Sequence, residues 1–277
     1  MPVRIVQSKQ NGRLKELRRA MAHPGREGTR LAGIEGPNLL NEALRAHLHI
    51  DCVFAAQEAE HLLEELNLPP EMDVLLVPRE LLNSALATET PQPVAALVEP
   101  FEWIWRDILE GGVGGNNEAE PLVVVLAGLQ DPGNLGTILR CAEAFGASGV
   151  VSLPGTVCAW NPKAVRASAG SVFRVPLLSA TAEECFRRLG EAHVKVIATR
   201  LRDAAPADQA DMAGPVALLI GNEGNGVPPE LTAYAGAAIT IPCPGPVESL
   251  NASVAAGILL YEASRQRSAG RLRGCEP

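Results

Sequence analysis

The stretch PLVVVLAGL, residues 121–129, constrains the fold more than any other part of the sequence, because its apolar residues follow one another without alternation. A strand with one face in water alternates apolar and polar side chains, whereas a parallel strand buried on both faces is continuously apolar. Parallel strands require crossover connections, which are usually helices. The sequence therefore predicts an α/β fold after residue 120, with a mostly parallel sheet and helices on both faces.

Helical and extended patterns alternate to the end of the chain. The later predicted strands are GVVSL, VKVIATRL, PVALLIG and AAITIPC, and the predicted helices are GTILRCAEAFGA, TAEECFRRLGEA, PPELTAYAG and ESLNASVAAGILLYEASRQR. Ligands of open parallel sheets bind beyond the carboxyl ends of the strands. We therefore expect functional residues in the turns that follow these strands.

A smaller α/β domain is predicted before this region. Residues 1–108 alternate between helical patterns such as NGRLKELRRAMA and extended ones such as HIDCVFAA. The stretch LEGGVGGNNEAE, residues 109–120, is rich in Gly, Asn and Glu, a composition typical of a linker. The sequence thus predicts two domains, 1–108 and 121–277, joined by this linker.

Composition limits the class of protein. Of the 277 residues, 47% are hydrophobic and 20% are charged, which is typical of a globular chain. No run of about 18 apolar residues occurs and the first residues lack the apolar segment of a signal peptide, so we expect a cytoplasmic protein without a membrane span. The six cysteines form no CxxC pair and the histidines do not cluster near them, so no metal site is expected.

Positive charge is concentrated at the amino end, although the net charge of the chain is −8. The basic residues within 1–30 are Arg4, Lys9, Arg13, Lys15, Arg18, Arg19, Arg26 and Arg30, opposed by Glu16 and Glu27. Such asymmetry is compatible with local phosphate binding. A solvated helix face is an equally good interpretation of the pattern by itself.

Two polar turns precede helices that carry arginine. In LQDPGNLGTILR, residues 129–140, we expect Asn134 or Gly136 to cap the helix, and Arg140 to be a half-buried arginine that needs an anionic partner. In NPKAVRASAG, residues 161–170, Lys163 and Arg166 are spaced to share one helical face. The second pair is explained either by surface ion pairing or by an anionic ligand.

Two further turns follow the later strands. LLIGNEGNGVPP, residues 218–229, places the carboxylate of Glu223 among three glycines, where a phosphate would be repelled. In IPCPGPVESLNAS, residues 241–253, Glu248, Ser249 and Asn251 crowd the start of an apolar helix. We expect Ser249 to cap that helix, which leaves the other polar residues available for a ligand.

Taken together, NLGTILR, GNEGNGV and IPCPGPVESLNASVAAGILLYE resemble the three signature motifs of the SpoU/TrmH family of RNA ribose 2′-O-methyltransferases. The resemblance covers roughly residues 121–265, and its third motif is the most specific. Residues 8–44 are similar to the substrate-binding domain of the family. The end of that domain appears here as TPQPV, with Pro93 where glycine is usual, which puts the local turn in doubt.

The resemblance implies a deep trefoil knot, a homodimer that packs through the final helix, and structured RNA, most plausibly ribosomal RNA, as substrate. It also implies S-adenosylmethionine as cofactor and a set of residues for each role. The implied catalytic residues are Arg140, Asn134, Glu223, Ser249 and Asn251; the cofactor-binding residues are Thr199, Gly221, Ile241 and Leu250; the RNA-binding residues are Lys15, Arg18, Arg26, Lys163 and Arg166.

Two other functions are alternatives to this one. A dinucleotide-binding domain would need GxGxxG at the start of the helix after the first strand, and the sequence there is GNLG. An RNA-binding relative without catalysis would show changes at the implied catalytic residues, and none is changed. A transfer RNA substrate stays open beside ribosomal RNA.

Overall fold

The computed structural model describes residues 2–25, 30–86, 88–110 and 120–273. Two compact units divide the chain: one consists of Met1–Glu102 with Cys158–Phe173, and the other of Trp103–Val157 with Arg174–Pro277. The predicted domains had residues 103–108 in the first domain and 158–173 in the second. The structure assigns both segments the other way, and most of the predicted linker, residues 111–119, lies outside the described residues.

The strands and helices of the described residues are as follows. The strands are β1 (Val3–Ile5), β2 (Ala32–Glu35), β3 (His49–Ala56), β4 (Val74–Val77), β5 (Val94–Glu99), β6 (Leu122–Leu126), β7 (Gly149–Ser152), β8 (Leu177–Ser179), β9 (Lys195–Thr199), β10 (Ala205–Pro206), β11 (Val216–Ile220) and β12 (Ala237–Thr240). The α-helices are α1 (Gly12–Ala22), α2 (Pro37–Arg45), α3 (His61–Glu65), α4 (Arg79–Asn83), α5 (Trp105–Leu109), α6 (Pro132–Ala144), α7 (Pro162–Ser168), α8 (Ala182–Glu191), α9 (Pro229–Thr232) and α10 (Ala252–Arg273).

The first unit is built on a five-stranded sheet in the order β1-β4-β3-β5-β2. β1, β4 and β3 are parallel, while β5 runs antiparallel to both of its neighbours. On one side, α1 buries Leu14, Leu17, Ala20 and Met21 in the core. The helix begins where the Asn11 side chain accepts the backbone N–H of Leu14 at 3.2 Å.

The second unit is built on a seven-stranded sheet in the order β10-β12-β9-β11-β6-β7-β8, and every neighbouring pair is parallel. β6 and β11 lie inside the sheet and are buried along their whole length. Their continuous apolar sequences therefore predicted their position correctly. The predicted α/β fold with a parallel sheet flanked by helices is confirmed.

Parallel pairing brings four strand ends to one edge of this sheet. Ile220 is in register with Leu126, and Thr199 is in register with Ile239. The turns after β6, β9, β11 and β12 consequently start next to one another. Three of the four motif stretches singled out in the sequence begin at this edge, so the fold itself places them together.

Helices α6 and α10 pack against each other beside this edge. The ring of Phe145 meets the ring of Tyr261 edge-on at a centroid distance of 5.7 Å, and Gly257 of α10 leaves room for Cys141 of α6.

None of the helices in the described part of the chain is long and apolar enough to span a membrane.

Both expected helix caps were wrong. α6 begins one residue after Asp131, whose side chain accepts the backbone N–H groups of Gly133 and Asn134, so neither Asn134 nor Gly136 is the cap. α10 begins at Ala252, and Asn251 rather than Ser249 accepts the N–H groups of its first turn. In each case the acceptor is the Asx residue just before the helix, where its side chain reaches the unpaired donors.

Candidate functional site

A chain of hydrogen bonds joins three of the motif stretches at the carboxyl edge of the seven-stranded sheet. The Asn251 amide Nδ2 donates to Oδ1 of Asn134 at 2.9 Å, and the Asn134 amide Nδ2 donates to Oε1 of Glu223 at 2.9 Å. The donors therefore all point the same way along the chain, from Asn251 to Asn134 and from Asn134 to Glu223. The chain fixes the orientation of Asn134, because its two side-chain ends bond groups of opposite kind.

Glu223 is held at the start of α6 by backbone groups as well. Its carboxylate accepts the N–H of Gln130 at 3.2 Å and that of Asp131 at 3.1 Å. Partial burial by itself would raise the pKa of Glu223, but donation from Asn134 and from backbone N–H groups outweighs it and lowers the pKa. The site therefore keeps a carboxylate charge at neutral pH.

The glycine turn that carries Glu223 is tightly closed. Asn222 and Gly226 pair through both backbone hydrogen bonds at 3.1 Å, and Oδ1 of Asn222 accepts the N–H groups of Gly224 and Asn225. A Cβ on Gly221 would lie 1.9 Å from the carbonyl carbon of Gly226. Gly221 is thus required for the chain to fold back on itself, because the Gly226 backbone occupies the place of a side chain.

A cavity of about 910 Å³ lies beside this turn. All four residues predicted to bind a cofactor, Thr199, Gly221, Ile241 and Leu250, line it, together with Glu223 and Ser249. The Thr199 hydroxyl donates to the Leu219 carbonyl at 3.1 Å, so it braces the neighbouring strand. Apolar side chains, backbone groups, three carboxylates (Asp203, Glu223 and Glu248) and two guanidiniums (Arg200 and Arg202) therefore surround a space of the size that small-molecule sites have.

Arg140 departs from its expected environment. It lies in α6, as predicted, but its side chain is exposed and not half-buried. The buried face of the helix consists of Leu135, Gly136, Ile138, Leu139 and Ala142, and Arg140 lies outside that set. It forms no hydrogen bond or ion pair with any other residue that the structure describes. A guanidinium in this position is free to meet an anion from outside the chain.

Ser249 and Asn251 differ in their surroundings although only one residue separates them. Asn251 belongs to the hydrogen-bond chain, and its Oδ1 also accepts a hydrogen bond from the Ser253 hydroxyl at 2.7 Å. Ser249 is exposed at the cavity and makes no hydrogen bond within the described ranges. The structure thus brings Asn134, Glu223 and Asn251 into contact and places Ser249 on the cavity wall.

The predicted RNA-binding residues fall in the first unit. Lys15 is exposed on α1, whereas Arg18 is half-buried and bonds Ser84 through its backbone carbonyl and its hydroxyl, both at 3.2 Å. Lys163 and Arg166 are exposed on α7, which belongs to the same unit. Arg26 lies outside the described residues.

The sequence analysis missed the groups that hold Glu223. Asp131 caps α6, and its backbone N–H donates to the Glu223 carboxylate. The signal was present, because Asp followed by Pro is typical of the first residues of a helix. The contact of Gln130 with Glu223 had no such signal, since it depends on two strands ending side by side.

Polar side chains and a cavity at the carboxyl edge of a parallel sheet are features of the α/β proteins that bind a ligand at this edge. The chain matches the SpoU rRNA Methylase family over residues 121–261 and the MRM3-like substrate binding domain over residues 11–96. It belongs to the SpoU rRNA Methylase family, and the resemblance stated from the motifs is confirmed.

Individual relatives cover nearly the whole chain. An uncharacterized tRNA/rRNA methyltransferase of Mycolicibacterium vanbaalenii is 34% identical over 84% of this chain and 76% of its own length. The 23S rRNA (guanosine(2553)-2′-O)-methyltransferase RlmP of Bacillus subtilis is 30% identical over 92% of this chain and 97% of its own. The crystal structure of an AdoMet-bound rRNA methyltransferase from Sinorhizobium meliloti has a TM-score of 0.81 and 33% identity, and the match covers 95% of this chain and 98% of that one.

Proposed function

We propose that this protein transfers a methyl group from S-adenosylmethionine to a ribose 2′-hydroxyl of structured RNA, most favourably 23S-type ribosomal RNA. The observation that carries the proposal is the hydrogen-bond chain Asn251–Asn134–Glu223 beside the cavity at the sheet edge. It unites the three stretches by which the chain resembles the family. The 23S ribosomal RNA substrate of the Bacillus subtilis relative supports the choice of RNA.

The cavity suits S-adenosylmethionine on physical grounds. Ile241 and Leu250 provide apolar contacts for an adenine ring, and the backbone around Gly221 provides hydrogen-bonding groups. Three carboxylates and two guanidiniums line the cavity, and Glu223 keeps its charge, so the balance suits a cationic sulfonium better than a triphosphate. When bound, S-adenosylmethionine supplies an activated methyl group. The AdoMet-bound structure from Sinorhizobium meliloti supports the same assignment.

Arg140 would act on the oxygen that receives the methyl group. A guanidinium stays protonated at any physiological pH, so Arg140 serves as a poor base and a good partner for negative charge. We assign it to the charge that develops on the ribose oxygen, or to an adjacent phosphate. Asn134, Glu223 and Asn251 hold the start of α6, the helix that carries Arg140. Ser249, exposed at the cavity, would help to orient the ribose.

A trefoil knot and a homodimer belong to the proposal as well. The turns after β9, β11 and β12 enclose one cavity, an arrangement that a knotted path of the last strands and α10 would produce. α10 exposes Val254, Ile258 and Tyr261 at 49%, 40% and 56%, spaced four and three residues apart. Side chains with this spacing share one helical face, and a second copy of the chain would cover it.

RNA recognition is assigned to the basic residues of the first unit. Lys15, Lys163 and Arg166 are exposed there and can contact phosphates. Arg18 already donates a hydrogen bond to the Ser84 carbonyl, so fewer of its donors are available. The match of residues 11–96 to a substrate-binding domain supports this assignment. A ribosomal substrate would place the protein in the cytoplasm, which stays a prediction.

Transfer of radiolabelled methyl from S-adenosylmethionine to RNA tests the function. Unmodified 23S ribosomal RNA should accept label, and nuclease digestion should yield a 2′-O-methylated nucleotide. Label only in transfer RNA would move the substrate to the alternative class. RNA binding without transfer to either RNA would favour the relative that has lost catalysis.

A further inference from the structure

Glu35 of the first unit has a buried carboxylate oxygen without a hydrogen bond. Glu35 as a whole is only 5% exposed. Oε1 accepts the Thr88 hydroxyl at 2.7 Å and the N–H of Gln92 at 2.8 Å, but Oε2 is buried and accepts no hydrogen bond. Buried carboxylates are costly unless every oxygen is compensated. The geometry therefore calls for a cation at Oε2.

Arg166 of α7 supplies that cation. Its Nη1 lies 3.9 Å from Oε2 of Glu35, which is an ion pair but too long for a hydrogen bond. Within the described residues Glu35 forms no other ion pair, and Arg166 has no other partner. The Arg166 side chain is 43% exposed against 2% for that of Glu35. One edge of the guanidinium thus faces a buried charge, and the rest of the group reaches the surface.

The helix that carries Arg166 depends on such contacts for its orientation. α7 has seven residues, too few to be stable by itself. It packs against β2, the strand that ends with Glu35. Just after it, Gly170 adopts a φ of +92°, and a Cβ there would lie 2.7 Å from Cβ of Glu42 in α2. The first unit therefore sets where Arg166 lies.

We propose that Glu35 is a positioning residue for RNA binding: its buried charge holds Arg166 in the orientation in which the exposed donors of the guanidinium grip a phosphate. The inference rests on the proposed function for the assignment of Arg166 to RNA. A free arginine side chain loses much rotamer freedom when it binds. An arginine already held on one edge loses less, and its planar group still offers donors in a fixed geometry.

The sign of one substitution separates this idea from ordinary electrostatics. Removing a carboxylate near an RNA-binding surface should strengthen RNA binding if only net charge counts. If Glu35 positions Arg166, Glu35→Gln should weaken binding roughly five- to tenfold. It should also flatten the log–log salt dependence by roughly 0.7 to 0.9, the amount for one lost phosphate contact. The KM for RNA should rise while kcat and the KM for S-adenosylmethionine stay unchanged.

The experiment measures the affinity of the full chain for unmodified 23S ribosomal RNA transcribed from the Bacillus subtilis gene, over a series of salt concentrations. Thr88→Val is the matched control, because it removes a hydrogen bond to Oε1 and leaves Oε2 and Arg166 intact. It should keep wild-type RNA affinity. In an Arg166→Ala background, Glu35→Gln should have no further effect. Tighter or unchanged binding by Glu35→Gln, or equal weakening by Thr88→Val, would overturn the proposal.

A second measurement does not depend on whether Glu35→Gln folds. Nitrogen-15 relaxation of the Nε–H groups in the wild-type protein compares Arg166 with Arg140, an exposed arginine without a partner in the described residues. Arg166 should be the more ordered of the two, and equal mobility would contradict the proposal. Because the binding and relaxation experiments need no methyl transfer, their outcome is separate from that of the labelling test for the proposed function.

Discussion

Asn134 donates its side-chain amide to the Glu223 carboxylate at 2.9 Å, although 89 positions separate the two residues in the sequence. The bond links the first helix after β6 to the glycine turn after β11. Asn134 lies inside α6 rather than at its cap, so its side chain is available for this contact. The first functional motif is therefore tied to the second by a side chain and not only by neighbouring strands.

Asn134→Ala should destabilise the fold at neutral pH, and the difference from wild type should shrink in acid. The pKa of Glu223 is lowered in the folded state, so its contribution to stability is present above the unfolded pKa and lost as pH falls through the folded value. Without the Asn134 hydrogen bond the pKa of Glu223 is lowered less, so the variant loses less stability in acid than the wild type does. Urea unfolding at neutral and acid pH measures the effect. In a Glu223→Gln background the cost of Asn134→Ala should not vary with pH; a pH-independent cost in the native background would contradict the assignment.

Gly221→Ala should unfold the glycine turn and abolish binding of S-adenosylmethionine. The new Cβ would lie 1.9 Å from the Gly226 carbonyl carbon, which belongs to the backbone and cannot rotate away. A cost of about 3 kcal/mol or more is expected for such overpacking. Gly224→Ala is the matched control in the same turn, since its Cβ would have no neighbour nearer than 3.8 Å and should change stability by less than about 0.5 kcal/mol. Thermal melting and calorimetry decide, and a stable Gly221→Ala variant would refute this account.

Hydrophobic patterning predicted the five longer strands in the sheet of the second unit. The runs that became β6 and β11 are apolar throughout because both strands are covered on two faces. β8 and β10 were missed, since they have three and two residues and carry too little pattern to recognise. For the candidate site, the resemblance to the family selected Asn134, Glu223 and Asn251, but no pattern in the sequence predicted the hydrogen bonds between them.

The rest of the structure depends on long-range contacts that no local pattern records. Residues 158–173 have the sequence of a turn and a short helix, and nothing within them indicates that they join the first unit. Their place in the first unit depends on the close approach of Gly170 to Glu42 and on the ion pair between Arg166 and Glu35. Deleting the residues before 103 would remove the strand against which α7 packs, so single substitutions in the full chain test RNA binding better than a truncation would.

Ile258→Glu should convert a dimer into a monomer. Ile258 is 40% exposed in the middle of the face formed with Val254 and Tyr261, and a buried unpaired carboxylate at an interface is strongly unfavourable. Arg188→Glu, at an exposed position on α8, is the control and should leave assembly unchanged. Sedimentation equilibrium at micromolar concentration gives the masses. If the wild-type protein is already a monomer there, the exposed face requires another explanation.

Arg140→Ala should reduce turnover at least a hundredfold, about 3 kcal/mol in activation free energy, because the charge on the ribose oxygen would lose its cation. The side chain is exposed and has no partner in the described part of the chain, so stability should change by less than about 0.5 kcal/mol. Arg140→Lys should be little more active than Arg140→Ala, since an ammonium lacks the planar pair of donors. Arg187→Ala serves as control: Arg187 is an exposed arginine that forms an ion pair with Glu191 at 2.7 Å, and its loss should leave turnover unchanged. Single-turnover rates and melting temperatures on the same preparations test both halves of the prediction. Normal turnover by Arg140→Ala would remove Arg140 from the reaction, and a lowered melting temperature with a normal rate would make its role structural.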